Sequence, residues 1–311
     1  MIIYMNGFAK NARVCFLGDS ITCNNDYVSH ISAYYHEHMK DRNVNFYNCA
    51  IAGGRVETLL NNFDDDIMIH KPTHAVIMVG VNNSGSSLLH EPRSRERYEK
   101  LLNAYDIYKR NYSALCDKLK ENNVEIILCT QTPYDVYMES EINRPQAGYA
   151  LVMGYAEHVR EYARENGFEL CDYHRYMTEI NQVECIYNPD GLHPNELGQY
   201  YMAKCFLAFQ GFELGEKKPF SEYMSRWREL VTIERRICTA EFLINHKVNG
   251  ATEKLSDEEI MKLAENYLTD TPEDKKEEYM VILTENYIKN KKDHKKIKEE
   301  INFLMEKSFK E

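Results

Sequence analysis

Short apolar runs alternate with longer stretches of helical periodicity through the first two thirds of the chain. The runs Arg13–Gly18, Val44–Cys49, Thr73–Val79, Val124–Thr130 and Glu169–Asp172 are short and apolar, as buried strands are. Between them, apolar positions recur at helical spacing over about Tyr27–Lys40, Ser94–Glu121, Gly148–Asn166 and Glu196–Phe209. Strand alternating with helix predicts a parallel sheet covered by helices on both faces, an α/β fold. In such a sheet, sites form beyond the carboxyl ends of the strands.

From about residue 215 the strand signals stop. Ser256-Asp-Glu-Glu259 reads as a capping box, followed at helical spacing by Ile260, Leu263, Ala264, Tyr267 and Leu268. Thr271-Pro-Glu-Asp274 predicts a second helix start with Pro272 at its first position, and Tyr279, Ile282, Leu283 and Tyr287 give that helix an apolar stripe. A third stretch, Lys289–Glu311, carries Ile297, Ile301, Leu304 and Met305. The expected organisation is a domain at 1–214 and a helical C-terminal extension at 215–311. Apolar stripes must be buried, so the extension is expected to pack on the first domain or to form a homo-oligomer. The lysine run Lys291–Lys298 reads as a solvated helix face.

Composition narrows the classes. The 311 residues carry a net charge of -11, which argues against nucleic acid and anionic membranes as partners. No apolar run is long enough for a membrane span. The start, Met1–Asn6, lacks the basic and long apolar regions of a secretory signal. The nine cysteines (Cys15, Cys23, Cys49, Cys116, Cys129, Cys171, Cys185, Cys205 and Cys238) are scattered, odd in number and lack CxxC spacing. They read as reduced thiols of a cytoplasmic protein.

The chemistry sits at the predicted strand ends. Gly18-Asp19-Ser20 turns sharply out of the first strand and sets the Ser20 hydroxyl at the sheet rim. Asn188-Pro-Asp-Gly-Leu-His-Pro194 places Asp190 three residues before His193, in a turn stiffened by two prolines. His193 is suited to take a proton from Ser20, and Asp190 to hold the imidazole in the right tautomer. Acyl transfer also needs donors aimed at a developing oxyanion. Gly53 follows the second strand and Asn82 the third, so their amides and the Ser20 N–H give three donors on one rim. Taken singly, each motif reads as an ordinary turn, cap or surface pair; their order on successive strand ends is what points to a hydrolase.

His70 and His74 flank Pro72, and His36 and His38 face apart on a helix, so neither pair reads as a metal site. Neither a P-loop nor a dinucleotide fingerprint follows a strand. The 17 residues leading to Gly148 predict a binding loop or lid, with Tyr134, Tyr137, Asn143 and Arg144 as polar contacts. Asn83 joins them as a substrate-binding candidate.

Across about residues 12–210 the chain resembles the SGNH, or GDSL, hydrolase family. The four blocks are Gly18-Asp19-Ser20, the Gly53 turn, Gly80-x-Asn82 and Asp190-x-x-His193. Ala50 and Ala52 stand where the second block often has glycine and serine, and Val81 replaces a usual glycine; no catalytic atom is lost. The resemblance implies a flavodoxin-like three-layer α/β/α fold, no metal or cofactor, and ester hydrolysis through an acyl-serine. The expected substrate is a short acyl ester, acetate on a carbohydrate or small metabolite. The alternatives are a lysophospholipase or thioesterase of the same fold, and a scaffold protein that retains the fold without catalysis.

Overall fold

The computed structural model describes residues 7–83, 91–135, 146–248, 250 and 254–307. The chain forms two compact units, 1–220 and 221–311.

In the first unit, five parallel strands form one sheet: β1 (Arg13–Gly18), β2 (Asn45–Asn48), β3 (His74–Met78), β4 (Glu125–Cys129) and β5 (Glu169–Cys171). Their order is β2-β1-β3-β4-β5. This is the flavodoxin-like doubly wound arrangement, whose connections reverse direction between β1 and β3. Each strand lies within its apolar run: β1 fills Arg13–Gly18, β2, β3 and β4 are one residue shorter at each end, and β5 stops one residue before Asp172.

Both sheet faces are covered, which is why the strands read as continuous apolar runs. On one face Cys15, Leu17, Ala75 and Ile77 pack with Val56 and Leu59 of α3 (Val56–Asn61), Tyr108 and Leu115 of α4 (Arg95–Glu121), and Tyr155 and Val159 of α5 (Gln146–Asn166). On the other, Phe16 and Phe46 meet Tyr27 and Tyr35 of α2 (Asp26–His38) and Phe206 of α7 (Glu196–Phe209). Two further short helices, α1 (Ser20–Cys23) and α6 (Tyr173–Ile180), start directly after β1 and β5.

The second unit is helical: α8 (Glu222–Leu243), α9 (Asp257–Asp270), α10 (Glu278–Lys291) and α11 (His294–Lys307). Its core holds Ile237, Ala240, Leu243, Ile260, Ala264, Met280, Leu283 and Tyr287. The Ser256–Glu259 capping box is formed. Three expectations change. Pro272 precedes a single 3-10 turn, Glu273–Lys275, and α10 begins only at Glu278. Tyr279 and Ile282 are exposed, because Met280, Leu283, Thr284 and Tyr287 form the buried face of α10. Lys291 is not part of a solvated face: it pairs with Glu241 and, at 3.1 Å, with Asp257.

Candidate active site

β1 ends at Gly18, where the backbone passes too close for a side chain. A Cβ there would stand 2.4 Å from Thr22 Oγ1 and 2.8 Å from the Met78 carbonyl oxygen. Asp19 then caps α1, its carboxylate accepting from the Ile21 N–H at 3.1 Å. Ser20 becomes the first residue of that helix, so its N–H has no acceptor within the helix. α1 is tied to the exit of β2 through Asn48. The Asn48 amide donates to the Thr22 carbonyl at 2.7 Å and to Asn25 Oδ1 at 3.0 Å, while its oxygen accepts from Ala50 N–H at 3.0 Å.

The second half of the site is the turn before α7. Asn188 N–H donates to the His193 carbonyl at 2.9 Å, closing the loop around Asp190. Asn195 caps α7 through Leu197 and Gly198, and its amide reaches back to the carbonyls of Cys185 and Tyr187. The Asp135 N–H, in the segment leaving β4, donates to the Gly191 carbonyl at 2.8 Å. The turn is thus pinned from both sides.

These two segments, 173 positions apart in sequence, meet. Ser20 Oγ lies 2.8 Å from His193 Nε2. His193 Nδ1 lies 2.5 Å from Asp190 Oδ2. The other Asp190 oxygen accepts from the backbone N–H groups of Leu192 and His193, both at 2.9 Å. Partial burial by itself would raise the Asp190 pKa; the hydrogen bonds from the His193 ring and these two amides outweigh it and hold the carboxyl below its ordinary range. Asp19 goes the other way. Complete burial pushes it from 3.8 up to about 6, against the opposing Ile21 N–H bond and the attraction of His193. A hydroxyl bonded to an imidazole that is bonded in turn to a carboxylate can act as an activated nucleophile.

Two further loops reach the same rim. Gly53 follows β2 with φ of +74°, a left-handed conformation that favours glycine, and nothing lies within 4 Å of where its Cβ would be. Asn82 lies in the 3-10 turn Val81–Asn83 after β3, and its Nδ2 donates to the Gly54 carbonyl at 2.9 Å. That bond engages one amide hydrogen and leaves the second for a ligand.

Among the substrate-binding candidates, Asn83 sits in the 3-10 turn after β3, beside Asn82. It is 8% exposed, and both ends of its side-chain amide bond to the protein, to Val56 N–H and to Glu57. Its amide is thus held by the protein at both ends within a buried setting. Tyr134 is half-buried in the segment leaving β4. Tyr137, Asn143 and Arg144, with most of the expected lid, lie outside the described residues. Asp19, Asn48 and Glu57 also shape the site, in roles that no sequence motif marks. Asp19 and Asn48 adjoin the strand ends in sequence, but nothing in a sequence shows which polar neighbours a fold will bury.

Among the described residues, Glu234, Cys238 and His294 of the second unit have potential metal-ligand atoms within 4.8 Å of one another. Arg235 Nε already lies 2.5 Å from Glu234 Oε2, and Lys298 Nζ lies 3.7 Å from Oε1. These cations occupy the carboxylate and oppose a metal ion. No helix among the described residues is long and apolar enough to cross a membrane.

Residues 16–200 match the model of the GDSL-like lipase/acylhydrolase family. The chain belongs to this family. Membership makes it a carboxylic ester hydrolase. Solved structures agree at the level of the fold. A gut microbial diltiazem-metabolizing enzyme superimposes with a TM-score of 0.76 at 16% identity, covering 99% of this chain and 96% of that one. An acetyl xylan esterase from Geobacillus stearothermophilus gives 0.56 at 21% identity, over 68% of this chain and 100% of its own. A putative GDSL-like lipase from Parabacteroides merdae gives 0.55 at 21% identity, over 67% and 99%. No curated protein matches the sequence.

Proposed function

We propose that this GDSL-family hydrolase is a serine esterase that removes a short acyl group, acetate first among them, from a carbohydrate or small metabolite. The observation that carries the mechanism is the unbroken line from Ser20 Oγ to His193 Nε2 at 2.8 Å and from His193 Nδ1 to Asp190 Oδ2 at 2.5 Å.

In this reading Ser20 Oγ attacks the ester carbonyl carbon and its proton passes to His193 Nε2. Asp190 accepts from Nδ1, so Nε2 is the nitrogen with the free lone pair, and the carboxylate steadies the imidazolium that forms. The carbonyl oxygen becomes an oxyanion facing the N–H groups of Ser20 and Gly53 and the Asn82 amide. The C–O bond to the alcohol breaks as His193 returns the proton to the leaving oxygen, which leaves an acyl-serine. Water, deprotonated by His193, attacks the acyl carbon; the acid departs and Ser20 regains its proton.

The acetyl preference is supported by the likeness of fold to an acetyl xylan esterase. A panel of acylated sugars and p-nitrophenyl esters of rising chain length tests it. The expected result is kcat/KM highest for acetyl esters and falling steadily with chain length. A maximum at long acyl chains or at thioesters would replace this reading with a lysophospholipase or thioesterase.

A further inference from the structure

We propose that Asn83 and Glu57 are positioning residues for the oxyanion donors, locking the turn that carries Asn82 to the start of α3. The inference rests on the serine-esterase reading of the same site.

Gly53 and Asn82 arrive from separate strand ends, and their amides must converge on one oxygen to within about half an ångström. Three hydrogen bonds span the two segments. Asn82 Nδ2 donates to the Gly54 carbonyl at 2.9 Å. Val56 N–H donates to Asn83 Oδ1 at 3.1 Å. Asn83 Nδ2 donates to Glu57 Oε2 at 2.9 Å. The chemistry of the partners fixes which way the Asn83 amide points. A backbone N–H only donates and a carboxylate oxygen accepts, so the oxygen of Asn83 must face Val56 and its nitrogen Glu57.

The clamp is anchored beyond the two loops. The other Glu57 oxygen accepts from Asn111 Nδ2 of α4 at 2.7 Å. The Asn83 carbonyl accepts from the Tyr155 hydroxyl of α5 at 2.9 Å. Asn83 N–H donates back to Gly80 O at 2.9 Å, closing the turn. Asn82 is the next residue along this backbone, so a rotation of Asn83 carries the Asn82 amide with it.

Donor and acceptor can be exchanged to test this. Asn83→Asp keeps an acceptor for Val56 but sets a second carboxylate against Glu57, where like charges repel. The expected result is kcat lowered roughly 10- to 100-fold, the scale of a donor displaced by about an ångström, with KM changed less than about threefold. Glu57→Gln should cost less, because the Asn111 amide can turn to meet it. The double variant Asn83→Asp/Glu57→Gln conserves net charge, and the new amide at 57 donates to the new carboxylate at 83. It should recover kcat to within about fivefold of the parent. In an Asn82→Ala background, Asn83→Asp should have little further effect on kcat. Should Asn83→Asp fail to fold, Glu57→Ala takes its place, with kcat about 10-fold lower at unchanged KM and the same non-additivity with Asn82→Ala.

An unchanged kcat in folded Asn83→Asp or Glu57→Ala, additivity with Asn82→Ala, or no recovery in the double variant would overturn the inference. Full activity in Ser20→Ala would instead overturn the serine-esterase reading beneath it.

Discussion

Asp190 holds His193 at two points: Oδ2 meets ring Nδ1 at 2.5 Å, and Oδ1 accepts from the backbone N–H of the same residue at 2.9 Å. The first bond orients the ring, and the second fixes the distance between the two residues. Three positions of spacing and a turn closed by Asn188 make both bonds fit one carboxylate.

Replacing Asp190 by Asn separates the two functions. The Asn oxygen can keep the backbone bond, but its amide then donates to Nδ1. That puts the ring proton on Nε2, where the Ser20 proton should go. Asp190→Asn is expected to lower kcat by roughly 10³–10⁴ with the circular dichroism spectrum unchanged. Because the carboxyl is held below its ordinary range, the parent enzyme keeps it ionised through the acid limb of its pH profile. The rate should rise with pH, because a general base works only in its proton-free form. A flat profile from about pH 5 to 9 would contradict the base assignment.

Asn82 is expected to serve the transition state. Asn82→Ala should lower kcat by roughly 10²–10³ and leave KM nearly unchanged, the size of one lost oxyanion donor. Steady-state kinetics on p-nitrophenyl acetate reads this directly. A rise in KM at constant kcat would make Asn82 a substrate contact.

Asp19 is expected to destabilise the fold at neutral pH. Its folded pKa, about 6, lies above its ordinary value of 3.8, so the folded chain binds an extra proton between those limits. Its favourable contribution is complete below the unfolded value and is lost as pH rises through about 6. Asp19→Asn keeps an oxygen for the Ile21 N–H and removes the buried charge. It should raise stability above pH 6 by up to about 3 kcal/mol, at 1.36 kcal/mol per pH unit, and by progressively less toward pH 4. Urea unfolding at pH 4.5 and pH 8 checks the sign; equal effects at both would mean that Asp19 is not buried as a charge.

The sheet was legible because burial on both faces makes every strand an apolar run, as in His74–Met78, which is buried throughout. The short helices were not. Ser20–Cys23 and Val56–Asn61 span too few turns to show a period. Glu222–Leu243 is long enough, but its buried face includes Glu234 and Arg235, which break the apolar stripe that marks a helix in sequence. Ser20 and the Asp190–His193 pair could each be seen as motifs. The hydrogen bond between them depends on the sheet that carries both segments to one rim. The Glu57–Asn83 contact was invisible, since neither residue belongs to a strand and 26 positions separate them.

Active-site titration bears most directly on Ser20 as the nucleophile. A serine-directed phosphonate, followed by intact mass and peptide mapping, should add one adduct per chain. That adduct should lie on Ser20, with activity lost in step with labelling, and Ser20→Ala should be neither labelled nor active. Labelling at another residue, or full esterase activity in Ser20→Ala, would contradict the assignment.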